Sequence, residues 1–421
     1  MKTLLIALLC SLPLAAGTDD SFLLRGATIH PVSGADIANG AVLVRDGRIV
    51  EVGAKVAAPK GIRVVDAKGL HVYPGMIDSA TEIGLSEIGS VRETNDTAEI
   101  GDFNPQLRAI IAVNPASEHI PVTRANGITT VITMPTGGIV CGQSALIHLD
   151  GWTWQEMEVR PSAAMNLRFP VIQTTSPRFA LAEGRSRTPY AEARRNYERR
   201  LQQLQDFFEQ ARRYQKAKAA GATETDLKFE AMLPVLEGKL PVVIGAERER
   251  AIREALRFAE REKIRMVLAG GDEAFKLAGE LKSKNIPVVL GPTLSLPSQE
   301  DDPYDRAYTL PAELHRAGVK IAFGTFSTSA VRNLPYQAAM AVAFGLPQQE
   351  GLKAVTLNPA EIWGVGEQLG SIEKGKWADL IVTDGDPLET RTQIKQCFIK
   401  GKVVDLENKH HRLYEKYLNR P

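Results

Sequence analysis

From residue 22 to residue 73 the chain alternates in short apolar and polar steps. Residues 22–29, 41–52 and 63–66 read as strands, and Asp46-Gly47 inside the second run reads as a hairpin turn. A β-module this small closes no core alone. At residue 74 the rhythm changes. Pro74-Gly75 marks a turn, residues 76–82 a short strand, and residues 128–134 a β-rich run that stops at Pro135. Apolar runs about five residues long then recur at 241–245, 266–270, 287–291 and 319–324. Helical stretches fall between them, at 249–262, 272–283 and around 311–317. Short apolar strands, each with a helix behind it, imply a parallel sheet buried on both faces. Four such units in the second half predict an α/β fold closed as a (β/α)8, TIM-like barrel over residues 74–369. From 370 to 404 the β-rhythm returns, with strands at 378–382 and 397–404, and residues 405–421 remain as a C-terminal tail.

One long helix, 191–216, stands apart. Tyr197, Leu201, Leu204, Phe208 and Ala211 form its apolar stripe. Its arginines are interleaved with Glu192, Glu198 and Glu209, which reads as a solvated face rather than a nucleic-acid surface. A formal net charge of +1 over 421 residues gives the same answer.

Composition changes the picture at the N-terminus. Lys2, an apolar run from Leu4 to Ala16 and the small residues Ala15-Ala16-Gly17 have the order of a signal peptide over 1–17. That run is shorter than the ~20 apolar residues needed to span a bilayer. The expected product is an exported protein, periplasmic or secreted, with no membrane anchor after cleavage. Two cysteines then remain, Cys141 and Cys397, paired or both free, and two cysteines make no disulfide framework.

Three motifs carry a family resemblance. Pro74-Gly75-Met76-Ile77-Asp78-Ser79-Ala80-Thr81-Glu82 resembles the first barrel strand of the amidohydrolase superfamily, which reads Pro-Gly-apolar-Ile-Asp-x-His-x-His. Thr356-Leu357-Asn358-Pro359-Ala360 with Gly364 is similar to its Thr-x-Asn-Pro-Ala…Gly stretch. Leu369-Gly370-Ser371-Ile372-Glu373-Lys374-Gly375-Lys376-Trp377-Ala378-Asp379-Leu380 is similar to its closing Gly-Ser-apolar-Glu-x-Gly-Lys-x-Ala-Asp-Leu signature. The resemblance runs from about residue 23 to 404 and is strongest to the imidazolonepropionase-related branch. It implies that segments 18–73 and 370–404 pair into one small β-sandwich module beside the barrel. It also implies an ancestry of C–N bond hydrolysis, in which a metal-activated water attacks an amide or cyclic amide.

By that resemblance the ligand positions are altered. Ala80 and Glu82 stand where the family has its two first-strand histidines. Gly245 stands at the fifth-strand histidine, Gly270 at the sixth, and Phe326 at the aspartate that ends the eighth. The implied metal site is degenerate, so the expected cofactor is none. Glu82, Glu247, Asp272 and Glu273 form the alternative, a weak oxygen site for a divalent cation. No two of the seven histidines are spaced as a metal pair, and His410-His411 in the tail reads as a solvated pair. The loop 84–104 is expected to overhang the barrel mouth. Arg92 and Glu93 in it, with Arg124, Arg332, Asn333 and Tyr336, are candidates to bind a small amide or anionic ligand without metal.

Residues 137–144 nearly fit a phosphate-binding loop, but Gln143 replaces the required lysine. Cys141 in the same stretch has no histidine beside it to serve as a base. The reading that results is an exported, non-catalytic member of a hydrolase lineage that binds a ligand or pairs with an active amidohydrolase relative. The alternative is a hydrolase of non-peptide C–N bonds working through Glu82. Intact-mass measurement of protein recovered from the periplasm or medium is expected to place the mature N-terminus at Thr18. Retention of residues 1–17 would contradict the export reading.

Overall fold

The structure, a computed structural model, describes residues 20–172, 188–221, 224–297 and 301–420. The expected signal segment, 1–17, lies outside the described residues. Five strands open the chain: β1 Phe22–Ile29, β2 Ile37–Arg45, β3 Arg48–Gly53, β4 Arg63–Asp66 and β5 His71–Pro74. Asp46 (φ 49°) and Gly47 (φ 72°) both adopt left-handed conformations between β2 and β3, which is the geometry of a type I′ hairpin.

The barrel follows, as β6 Met76–Thr81, β7 Ile128–Thr133, β8 Val140–His148, β9 Glu158–Arg168, β10 Val242–Ala246, β11 Met266–Gly270, β12 Val288–Leu290 and β13 Ile321–Phe323. They lie side by side in chain order. Every residue of β6, β7 and β8 is buried, as expected for strands covered on both faces. The helix Glu249–Glu262 turns Ile252, Ala255, Leu256 and Ala259 inward against the strands.

The barrel departs from strict strand–helix alternation at one place. β8 runs antiparallel to both β7 and β9, while the other seven strands are mutually parallel. The Gly-rich stretch 137–144 is therefore the lead into a reversed strand. Gly138 (φ 66°) must be glycine, because a Cβ there would stand 2.7 Å from the Gly101 carbonyl oxygen.

No ladder joins β13 back to β6, and the seam is closed instead by specific bonds. The Asp78 carboxylate, fully buried, accepts from the Ala80 N–H (3.0 Å), the Thr325 N–H (3.1 Å) and the Thr325 hydroxyl (2.7 Å). Phe326 N–H donates to the Ala80 carbonyl at 2.7 Å, and Glu82 N–H to that of Ser327 at 3.3 Å.

The chain then returns to the first sheet through β14 Leu380–Thr383, β15 Ile394–Ile399 and β16 Lys402–Val404. The order is β16-β15-β14-β5-β1-β2-β3, with β4 on β1, so the two ends of the chain share one sheet through the β14–β5 pair. The sheet curls on itself. Ala378 N–H reaches the Gly47 carbonyl (2.8 Å), and Phe22 stacks on Phe398 with centroids 4.6 Å apart.

The long helix is Tyr190–Ala219. It buries Leu204, Phe207, Phe208 and Ala211, and Arg194 and Arg213 pair with Glu198 and Glu209 on its solvent face. Among the described residues no helix is long and apolar enough to cross a membrane. The tail contains a helix, Lys409–Leu418, capped by the Asn408 side chain, which accepts from the N–H groups of His410 and His411. Cys141 and Cys397 are buried and free.

Burial pushes the Asp78 carboxyl up to about 7 from 3.8. A carboxyl that holds its proton more tightly when folded contributes stability that is complete below the unfolded value. That contribution is lost as pH rises through the folded one. Asp78→Ala strands two buried backbone N–H groups and is expected to cost about 3 kcal/mol. Asp78→Asn keeps an acceptor for both and should cost less than half of that. Urea denaturation from about pH 4 to pH 7 is the check, with the decline in stability over that window flattened in Asp78→Asn.

Candidate ligand site at the barrel mouth

The C-terminal ends of the parallel strands surround a cavity of about 440 Å³. Thr81 and Glu82 come from the end of β6, residues 134–137 from the turn after β7, and Cys141 from the start of β8. Asn166, Leu167 and Arg168 come from β9, Val243 and Gly245 from β10, Ala269 from β11, and Phe326 from beyond β13. Of the five positions that the resemblance aligns with ligands, Glu82, Gly245 and Phe326 line this one cavity.

Each position is occupied in its own way. Ala80 is fully buried in the barrel interior, so close to Gly324 that a Cβ on that glycine would lie 2.7 Å from its own. Gly245 faces open space, with no atom within 4 Å of where a Cβ would project. At Gly270 (φ 86°) the space of a side chain is taken by the Glu247 carboxylate, whose Oε1 lies 2.2 Å from the ideal Cβ position. Glu247 is exposed as a residue, but its carboxyl turns inward. Burial, then the charge of Asp272, push it up to about 7. Phe326 sits at φ 48°, a left-handed backbone uncommon for an aromatic residue, and is 39% exposed over the cavity. Such strain persists only where neighbouring contacts hold it, here the bond to Ala80.

Glu82 is half-buried, and burial raises its carboxyl above the ordinary value. Among the described residues its side chain has no hydrogen-bonding partner, and neither has that of Arg168. Asn166 points its amide nitrogen at the Gly142 carbonyl (3.2 Å) and the Ser144 hydroxyl (2.5 Å). The Cys141 thiol is pushed up to about 11 by burial, which leaves it a poor nucleophile at neutral pH. Asn166 and Arg168 escape sequence reading because β9 is rich in alanine and interrupted by Pro161, a composition with little strand signal.

The other candidates lie elsewhere. Arg92 and Glu93 are exposed on a short 3-10 turn of the loop 84–104, which Asn95 and Thr94 pin by bonds to its own carbonyls. Arg124 precedes β7, at the base of the barrel, and pairs with Asp150 at 2.8 Å. Arg332 and Tyr336 line a separate cavity of about 400 Å³ with Asn126, His410 and His411, and Asn333 leads into the helix Leu334–Ala343 beside it. The weak-cation alternative is not assembled. Glu273 is engaged by Glu249 N–H (2.6 Å) and Lys276 (2.9 Å), and Glu247 faces Asp272. Among the described residues no three His, Cys, Asp or Glu side chains converge as a metal site. Among the described residues the mouth does not fit the family's metal, since its ionised donor is the Glu82 carboxylate, the Cys141 thiol holds its proton, and no imidazole lines the cavity.

Restoring one ligand is expected to fail locally. Ala80→His would place an imidazole in a filled, fully buried position against Gly324, at a cost of about 2–4 kcal/mol. Thermal melting, with and without added zinc, checks this. A variant as stable as the parent would contradict the packing described here.

Residues 276–404 match the model of the amidohydrolase family. An amidohydrolase of Hapsidospora irregularis, tasK, is 25% identical over 401 residues, covering 86% of this chain and 39% of its own length. The imidazolonepropionase of Caldanaerobacter subterraneus subsp. tengcongensis is 24% identical over 396 residues, covering 84% of this chain and 86% of the enzyme. The crystal structure of an amidohydrolase from Thermotoga maritima superposes with a TM-score of 0.79 at 29% identity, over 91% of this chain and 99% of that one. With the barrel, the curled terminal sheet and the mouth already described, the chain is similar in fold and sequence to amidohydrolases over most of its length.

Proposed function

We propose that this protein is an exported amidohydrolase-superfamily member that binds a small ligand at its barrel mouth without metal-dependent hydrolysis. One observation carries the reading. Glu82 and Arg168, an acid and a base without side-chain partners among the described residues, line the same cavity. The rest of its wall is largely apolar, with Met134, Leu167, Val243, Ala269 and Phe326. A ligand with a hydrogen-bond donor for Glu82 and an anionic group for Arg168 satisfies both. The Glu247 carboxylate filling the side-chain space of Gly270 supports the same reading, because it blocks one place where a metal ligand would project. The superfamily's metal, when bound in a relative, would polarise a carbonyl and activate a water. Here the side chains hold and orient a ligand and shield it from bulk water. Pairing with an active relative belongs to the same proposal, with the periplasm or medium as the place.

The second reading is hydrolysis of a non-peptide C–N bond with Glu82 carrying the proton. In its favour is the raised Glu82 carboxyl, which suits a group that must be protonated part of the time.

Elemental analysis of protein purified without chelator is expected to find far less than one equivalent of transition metal. A panel of small amides and cyclic amides is expected to show no turnover with or without zinc or manganese. One equivalent of tightly bound metal, or chelator-sensitive turnover abolished by Glu82→Gln, would overturn the first reading in favour of the second.

A further inference from the structure

A second cavity, of about 750 Å³, lies at the opposite end of the barrel, where its base meets the terminal sheet. The reversed strand β8 ends there on His148, which is 1% exposed. His148 Nε2 lies 2.7 Å from Asp379 Oδ2, while the other oxygen of Asp379 accepts the Lys400 backbone N–H at 2.8 Å. A carboxylate at that distance takes the hydrogen on Nε2, and the tautomer that carries its hydrogen there presents Nδ1 as an acceptor. That Nδ1 is buried and has no hydrogen-bond partner among the described residues. Arg124 lines the same cavity and repeats the pattern. One terminal nitrogen donates to the Leu149 carbonyl and to Asp150, but its Nε–H is buried without an acceptor.

The cavity lining carries one more cation than acids, with Arg124, Lys400, Lys402 and Arg412 set against Glu118, Asp150 and Glu156, and Asp379 and Glu158 also act on Lys400. Asp150 is paired with Arg124, Glu118 with Arg412 (3.4 Å), and Glu156 accepts from the Trp152 N–H (2.9 Å). Lys400, half-buried with its ammonium 4.6 Å from the centre of the Trp377 ring, and Lys402 have no ion-pair partner among the described residues. The site therefore asks for three things: an anion beside the two lysines, an acceptor for Arg124 Nε–H, and a donor hydrogen for His148 Nδ1. A carboxylate or sulfate supplies the first two. A protonated phosphate oxyanion supplies all three, because it keeps an O–H beside its charged oxygens.

We infer that this basal cavity binds a hydrogen phosphate group, free or as a phosphate monoester. Lys400, Lys402 and Arg124 hold its oxygens, and the Asp379-oriented His148 accepts its O–H. Asp379 is a positioning residue here, acting through the ring it fixes.

Titration calorimetry of the full-length protein at about pH 6, where a monoester still keeps an O–H on about half of its molecules, tests this, with inorganic phosphate in one arm, glycerol 3-phosphate in a second and sulfate in a third. Phosphate is expected to bind and to change the fluorescence of the neighbouring tryptophans. Sulfate, which has no hydrogen to offer Nδ1, is expected to bind about tenfold or more weakly. Tighter binding of the ester than of free phosphate identifies the monoester as the ligand, and the reverse order identifies free phosphate. Lys400→Gln is expected to weaken binding about tenfold, and Lys402→Gln, at an exposed position that leaves the fold intact, in the same direction. Arg92→Gln, at the other end of the barrel, is the control and should change nothing. No binding in either phosphate arm at millimolar concentration, sulfate binding as tightly as phosphate, or affinity unchanged in both lysine variants would each overturn the inference.

Discussion

The structure depends on one seam. A barrel of eight strands needs its last strand to meet its first, and here β13 and β6 share no regular ladder. Asp78 does that work from one buried carboxylate, taking two backbone N–H groups and one hydroxyl from residues on both sides of the gap. The close approach of Ala80 and Gly324 is the same contact seen from the packing side. Everything at the mouth hangs from this seam, because Glu82 and Phe326 are the next residues outward on its two sides and are bonded across it.

That constraint explains why the altered ligand positions are not interchangeable. Ala80 lies inside the seam, where volume is already allotted, so a larger group there opposes closure. Gly245 lies on a strand away from the seam and faces open cavity. Gly270 falls between these cases, its side-chain space filled by a flexible acid from the neighbouring strand end. Phe326 puts a large side chain over the cavity while its N–H keeps the bond to Ala80, on a left-handed backbone. The mouth has the shape of a binding cavity, and its polar content among the described residues is Glu82, Arg168, Asn166, Cys141 and a few hydroxyls.

Much of this was legible in the sequence where a pattern was long or a turn chemically specific. The helix over 249–262 coincides with Glu249–Glu262, and Asp46-Gly47 makes the hairpin its residues demand. The apolar runs at 241–245, 266–270, 287–291 and 319–324 all become strands of the barrel. The pair β8–β9 was not legible. Its glycines read as a turn and its alanines and proline as nothing in particular, because burial on both faces removes the period-two alternation that marks a strand. Arg168 and Asn166 were lost with it. Arg124 and Arg332 lie near strand ends in the sequence, and proximity along the chain does not distinguish a residue before a strand from one after it. Arg124 stands before β7, and in a barrel that difference is the whole height of the molecule.

The reversal of β8 also has a consequence for where chemistry can reside. In a barrel of parallel strands, each strand delivers its C-terminal residues to the mouth, and the base serves stability. An antiparallel strand inverts that assignment. β8 brings Cys141 to the mouth near its start and His148 to the base at its end. The base then acquires a buried imidazole that a parallel strand would have carried to the other face, and the closing strands of the terminal sheet meet it with Asp379, Lys400 and Lys402. A polar group buried at 1% exposure with a carboxylate on one nitrogen and nothing on the other is costly to keep if it serves packing alone. The two ends of the barrel are therefore built by opposite means, the mouth by a largely apolar wall with few polar groups and the base by polar groups imported on the one strand that runs the other way.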